Sequence, residues 1–249
     1  MLKHTNDYHL AAYECDHENT LATATIFNWL QDSMDRFSRA CGAGYDYCYP
    51  YGLTYMLRAY DVKINSLPRW ADTLEMQNVL SDIKASSMFL RHRLYHKATK
   101  QLLLSAVSHV VLIDFLKGRP AHIKDYPILQ QIETLQRPVS IPRLEPLTSV
   151  DTTREQDILL DHIDFNQHVN NTNYVVFAKR ALDPLFLKRN RLKRIQVAYK
   201  QAALLGDKLK IETKIEPTYT DHQISSVSQP NRQFARIRFS WQKKDFVNG

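Results

Sequence analysis

At 249 residues, 44% of them apolar and 24% charged, the chain has the composition of a water-soluble globular protein, long enough for one large domain or two of about 120 residues. No apolar run approaches the roughly 20 residues that a membrane-spanning helix needs, and the opening MLKHTNDYHL lacks the apolar core of a secretory signal, so a cytoplasmic protein with no membrane span is expected. The formal charge of +7 suits an acidic partner, yet no phosphate-cradling glycine loop, zinc-ligand spacing or helix-turn-helix accompanies it, which argues against nucleic acid.

In chain order, residues 8–16 alternate as a strand does, and 21–38 read as a helix with Phe27, Leu30, Met34 and Phe37 on one face. Gly42 and Gly44 close that helix. Four strand patterns follow at 53–66, 73–83, 87–96 and 102–114, the last apolar enough for a central strand. Cys15, Cys41 and Cys48 form an odd set without metal-ligand spacing and read as reduced thiols. His92 and His96, four apart in a strand, lack the helical geometry of a zinc pair, so no metal or cofactor is called for.

Residues 116–150 carry Pro120, Pro127, Pro138, Pro142 and Pro146 with little periodicity, and Ile128, Leu129, Ile132 and Leu135 suggest that this connection is ordered. The opening order then recurs: a strand at 156–163, a helix at 171–183 ended by Asp183-Pro184, and strands at 193–203, 208–216, 222–228 and 233–242. Asp16 laid on Asp164 gives an offset of 148 residues, and Asp72 on Asp207 gives 135. One unit, duplicated, fits both values if the first copy has the longer loop after its helix, where Tyr45, Tyr47, Tyr49, Pro50 and Tyr51 lie. The expected domains are residues 1–125 and 151–249, joined by a linker at 126–150.

The densest chemistry lies at 161–178, DHIDFNQHVNNTNYVVFA. Asp161, Asp164, Asn166, His168, Asn170 and Asn171 precede a helical pattern whose first-turn N–H groups and dipole favour developing negative charge. Asn170 or Asn171 stands where an N-cap belongs. Where this copy has Asn166 and His168, the first has Glu18 and Thr20, so only the second half carries the candidate chemistry. Each of these residues alone has an ordinary structural reading as a turn or cap former. The basic run Lys188, Arg189, Arg191, Lys193 and Arg194 reads either as a docking patch for an acidic carrier protein or as a solvated loop.

The stretch 163–174, with Asp164, Asn166, His168, Val169, Asn170, Asn171 and Tyr174 in place, resembles the D-x-D-x-N-x-H-V-N-N-x-x-Y pattern of the acyl-acyl carrier protein thioesterases, although His162 stands at its first Asp position. LPRWADTL at 67–74, the stretch ending at Asp114 with GRP at 118–120, and YKQAALLGD at 199–207 extend the resemblance over most of the chain. It implies an α+β tandem (double) hotdog fold, two repeats each of a long helix wrapped by an antiparallel sheet. It also implies hydrolysis of the thioester between a fatty acyl chain and the phosphopantetheine arm of acyl carrier protein, without a cofactor. Asp164, Asn166 and His168 match the family's catalytic positions, and Asn170 and Asn171 lie at the helix N-terminus that would face the oxyanion. The first repeat, with Phe27, Tyr55 and Phe89, would help hold the acyl chain. The family's Glu, followed in plant members by Cys, falls on Ala202 and Ala203, so neither position can supply a base or a nucleophile. Two alternatives stay open: a non-hydrolytic acyl-carrier or acyl-lipid binding homologue, and an acyl-CoA thioesterase. A tandem repeat is compatible with a monomer or a homodimer.

Overall fold

The computed structural model describes residues 3–244, and the chain divides into two compact units, one running to Ile141 and the other starting at Pro142. The first unit contains β1 (His4–His9), α1 (Thr23–Ala40), α2 (Tyr45–Cys48), β2 (Leu53–Ile64), β3 (Thr73–Lys84), β4 (Ser87–His96), β5 (Leu102–Asp114), β6 (Arg119–Pro120) and α3 (Pro127–Gln130). Its strands pair antiparallel in the order β1-β3-β4-β5-β2, with the two residues of β6 added beside the end of β5. Of the predicted face of α1, Phe27, Leu30 and Phe37 are buried and Met34 is half-buried; Ile26 is buried as well, and α1 packs against β1 and β3.

The second unit contains β7 (Thr152–Asp157), α4 (Asn171–Arg180), α5 (Pro184–Arg189), β8 (Asn190–Tyr199), β9 (Lys208–Ile215), β10 (Tyr219–Ser226) and β11 (Gln233–Lys243). Its antiparallel order, β7-β9-β10-β11-β8, is that of the first unit element for element. Tyr174, Val175, Phe177 and Ala178 of α4 are buried against β9, β10 and β11. Each unit is thus a helix wrapped by an antiparallel sheet, the hotdog arrangement, and the fold is a tandem of two.

Several boundaries differ from the sequence expectation, among them the strand expected at 193–203, which is β8 and ends at Tyr199, so that Ala202 and Ala203 lie on the loop beyond it. The strands expected at 8–16 and 156–163 lie earlier, at His4–His9 and Thr152–Asp157, and each is followed by a short 3-10 turn, Ala12–Glu14 and Leu160–His162. Such a turn brings apolar residues into view at intervals that mimic alternation. The helix expected to stop at Asp183-Pro184 stops at Arg180, and Asp183 begins another: its carboxylate accepts the Leu185 and Phe186 N–H groups at 2.7 and 3.2 Å, with Pro184 in the first turn. Lys188 and Arg189 therefore close α5, where cations suit the helix dipole, and the basic run continues into β8 instead of forming a loop.

The proline-rich connection is anchored in each unit. Leu135 N–H and Arg137 N–H donate to the Leu80 and Ser81 carbonyls beside the β3 bulge, and Val139 is buried. In the second unit the Arg236 guanidinium donates to the Leu144 carbonyl at 3.1 Å, and Leu144 is buried. Each core also contains one imidazole. His92 lies between Asn78 Oδ1 at 2.7 Å and Ser108 Oγ at 2.9 Å; His222 lies between Thr213 Oγ1 at 2.9 Å and Thr220 Oγ1 at 3.0 Å. Asn78 faces His92, and Thr213 faces His222, at equivalent points of the two sheets.

Burial lowers both imidazoles to about 3, well below the ordinary 6.5. The folded protein therefore keeps them neutral while the unfolded chain takes up protons as soon as pH drops through 6.5. The stability they permit is full above that pH and is lost progressively as pH falls towards 3, at up to about 1.4 kcal/mol per pH unit for each. Urea denaturation should show a lower midpoint at pH 5 than at pH 7, and His92→Gln with His222→Gln should flatten that dependence. An unchanged wild-type midpoint would contradict it.

Candidate active site

The candidate residues lie in one tight turn ahead of α4. Ile163 and Val169 form an isolated antiparallel bridge, and within it the Asp164 N–H donates to the His168 carbonyl at 2.8 Å and the Gln167 N–H to the Asp164 carbonyl at 3.0 Å. Gln167 adopts a left-handed conformation, φ 64°, to close the turn. The Asp164 carboxylate folds back on it: Oδ1 accepts the Asn166 N–H at 2.9 Å and faces the His168 N–H at 3.5 Å. Asp164 is half-buried, whereas Asn166 and His168 present exposed side chains on either side of Gln167.

The turn is tied to two other elements. Val169 N–H donates to the Ala203 carbonyl at 2.9 Å, and Ala203 N–H donates to the hydroxyl of Tyr174 on α4 at 2.8 Å. Tyr174 is almost fully buried, and burial pushes its hydroxyl up to about 12, so it serves as a neutral acceptor and not as an acid at ordinary pH. Tyr199, at the end of β8, donates to the Asn171 carbonyl at 3.1 Å. The loop that carries Ala202 and Ala203 is braced by Arg232, whose guanidinium reaches Asp207 Oδ1 at 3.0 Å and the Ala202 carbonyl at 3.1 Å. Tyr174 is the motif's own tyrosine, whereas Arg232 and Tyr199 support the site from outside the motif. Arg232 lies some 30 residues away in sequence and carries no local signal.

Asn170 is the N-cap: its Oδ1 accepts the Thr172 N–H at 2.9 Å, and its carbonyl accepts the Asn173 N–H at 2.9 Å. Asn171 is the first helical residue, and its N–H is left without a hydrogen-bond partner among the described residues. The helix terminus therefore offers an incoming oxyanion one backbone donor, not the whole first turn. His162 Nδ1 accepts the Leu159 N–H at 3.0 Å and closes the 3-10 turn. Asp161 is exposed at the start of the motif.

The first repeat supplies an internal control. Asp16 Oδ1 accepts the Glu18 and Thr20 N–H groups at 3.0 and 3.2 Å, Asp16 N–H donates to Thr20 O at 2.7 Å, and Asn19 has φ 60°. Glu14 accepts the Ala11 N–H as His162 accepts that of Leu159, and Leu21 N–H donates to Pro68 O as Val169 N–H does to Ala203 O. The two turns share one backbone. Asp164 has a structural duty that Asp16 performs in a repeat without the motif, while Asn166 and His168 stand where the first turn has Glu18 and Thr20; Phe165 and Gln167 likewise replace His17 and Asn19.

Among the first-half aromatics, Phe27 packs edge-on to Tyr60 at 5.4 Å, Tyr55 donates its hydroxyl to the Ala43 carbonyl at 2.9 Å, and Phe89 stacks on His109 at 4.5 Å. Each is engaged separately. The described residues contain no group of three or more His, Cys, Asp or Glu side chains able to hold a metal, and no helix among them is long and apolar enough to cross a membrane.

Two family models match the chain: the acyl-ACP thioesterase N-terminal domain over residues 1–130 and the acyl-ACP thioesterase C-terminal domain over 149–243. The chain belongs to the acyl-ACP thioesterase family. A chloroplastic palmitoyl-acyl carrier protein thioesterase of Cuphea hookeriana is 22% identical over 227 residues, 85% of this chain and 54% of that relative. The chain thus spans about half the length of the curated relatives it matches. Among solved structures, a 12:0-ACP thioesterase from Umbellularia californica matches with a TM-score of 0.86 at 17% identity, covering 98% of each chain. An acyl-ACP thioesterase from Bacteroides thetaiotaomicron matches with a TM-score of 0.85 at 16% identity, covering 96% of this chain and 98% of that one. At these identities the structural likeness establishes the fold.

The paired turns make a prediction that separates structure from chemistry. Asp164→Ala and Asp16→Ala should each cost about 1–2 kcal/mol by stranding backbone donors, whereas Asn166→Ala and His168→Ala, at exposed side chains, should stay within about 0.5 kcal/mol of wild type. Thermal denaturation of the four variants reads this directly. Destabilisation by His168→Ala equal to that by Asp164→Ala would contradict it.

Proposed function

We propose that this protein is a cytoplasmic thioesterase that hydrolyses fatty acyl-acyl carrier protein, releasing free fatty acid and carrier protein in fatty acid biosynthesis. The observation that carries the reading is the contrast between the two turns: the same backbone holds Glu18 and Thr20 in one and an amide and an imidazole, Asn166 and His168, in the other. Family membership supports the choice of a thioester as substrate.

In this proposal Asp164, Asn166 and His168 form the catalytic group. The imidazole of His168, exposed in the turn, takes a proton from water as the water oxygen bonds to the thioester carbon. Asn166 orients the carbonyl, and the Asn171 N–H meets the developing oxyanion. When the C–S bond breaks, the proton passes from His168 to the departing thiolate. That thiolate is a good leaving group, with a free thiol pKa near 8.5. Asp164 keeps the turn closed through Oδ1. The first repeat holds the acyl chain, and the basic chain as a whole attracts the acidic carrier.

A second reading, a non-hydrolytic acyl-carrier or acyl-lipid binding protein, is favoured by one observation. Where the family has Glu and Cys, Ala202 is exposed and Ala203 is fully buried. Acyl-CoA as the carrier is the remaining alternative, because both carriers present an anionic thioester arm.

The test is thiol release from acyl carrier protein and CoA thioesters of the same fatty acid. The proposal expects turnover with a higher kcat/KM for the carrier protein; tight binding of acyl carrier protein without turnover would favour the second reading. Ala202→Glu should raise the rate, within the roughly 10²- to 10⁴-fold that a general base contributes, because position 202 is exposed and Arg232 stands beside it. Ala203→Cys should instead cost stability, by about 1–3 kcal/mol, since its side chain enters a filled space.

A further inference from the structure

We propose that the outer face of the first unit's sheet carries a binding site for a phosphorylated small molecule of nucleotide size, separate from the chemistry of the second unit. A groove of about 540 Å³ opens on that face, within the range of small-molecule sites. Its floor is set by strand register. Lys63 on β2 pairs with Ser105 on β5, which pairs with Arg93 on β4, so two cations flank one hydroxyl in a single transverse row. Strand spacing puts the outer two about 10 Å apart at their Cα atoms.

These groups are uncommitted. Among the described residues, Lys63 and Arg93 have no ion-pair or hydrogen-bond partner, and both are exposed. The side chains of Ser105 and of Ser140, on the segment that borders the groove, are likewise without one. The neighbouring charges are accounted for. Arg91 donates to Ser81 Oγ at 2.9 Å, Glu75 accepts the Gln77 amide at 2.7 Å and faces Lys100 at 3.7 Å, and Asp61 already has a partner. The groove, which Arg91 and Asp61 also line, thus offers two uncommitted positive charges and two hydroxyls to something not present in the chain.

The chemistry points to phosphate over carboxylate. Two cations and two hydroxyls line the groove, a donor set that matches the multiple charge and oxygen count of a phosphate better than a single carboxylate. Tyr95, Leu102 and Val139 give the same groove an apolar wall, against which a base or other organic portion can lie.

The experiment is calorimetric titration of the whole protein at fixed ionic strength with adenosine 3′,5′-bisphosphate, inorganic phosphate and laurate as separate probes. The expected result is saturable binding of the nucleotide, tighter than either other probe. Arg93→Gln and Lys63→Gln should each weaken it by about tenfold or more, while Arg143→Gln, which removes an exposed cation elsewhere, should leave it as in wild type. Both groove side chains are exposed and unpartnered, so unchanged thermal melting of the variants checks their folding. Absence of saturable nucleotide binding, equal affinity in wild type and both groove variants, or tighter binding of inorganic phosphate or laurate would each overturn the proposal.

Discussion

The site depends on a carboxylate that closes a turn. With Oδ1 of Asp164 gathered against the N–H groups of Asn166 and His168, five residues reverse the chain between Ile163 and Val169, and two side chains are held outward on one short piece of backbone. The turn would wander if it were free. It is tied to the loop after β8 through Val169 and Ala203, and that loop is tied to α4 through Ala203 and Tyr174. Each link is one hydrogen bond of modest net value, but together they fix the turn, the helix terminus and the strand end against one another. Asn170 adds the cap that starts the helix where the turn stops.

The repeated architecture makes this separation of roles possible. The first unit builds the same turn from Asp16 and Asn19, so the geometry is a property of the hotdog unit and not of a catalyst. The two copies differ at Glu18 and Thr20 against Asn166 and His168; in the first the Thr20 hydroxyl donates to Asp16 Oδ1 at 3.1 Å, whereas in the second the side chains of Asn166 and His168 are exposed. Glu14 and His162 illustrate the converse: different residues perform one duty because the backbone asks only for an acceptor. His162, at the position where the family pattern has Asp, thus has a structural duty in this chain.

Much of this was legible in the sequence, for identifiable reasons. The offsets of 148 and 135 residues predicted equivalences that hold at the level of single hydrogen bonds, because each offset was anchored on an aspartate with a fixed task, Asp16 with Asp164 and Asp72 with Asp207. The helices were visible in their apolar faces. The first strand of each unit was displaced because the 3-10 turns at Ala12–Glu14 and Leu160–His162 imitate alternation, and α5 was missed because Asp183-Pro184 reads equally as an end and as a start. Ala202 and Ala203 were legible as absences. That one is exposed and the other fully buried, so that a reactive side chain would be accommodated at only one of them, needed the three-dimensional packing. Arg232 acts from another strand's approach and has no sequence signature at all.

The central claim is that the second turn holds chemistry which the first, built on the same backbone, does not. Single-turnover release of thiol from a fatty acyl-acyl carrier protein, compared between His168→Ala and Thr20→Ala at matched folded fractions, tests it most directly. The account predicts a loss of roughly a hundredfold or more for His168→Ala, the lower range of a general base, and a rate near wild type for Thr20→Ala. Equal rates for wild type and His168→Ala would contradict it.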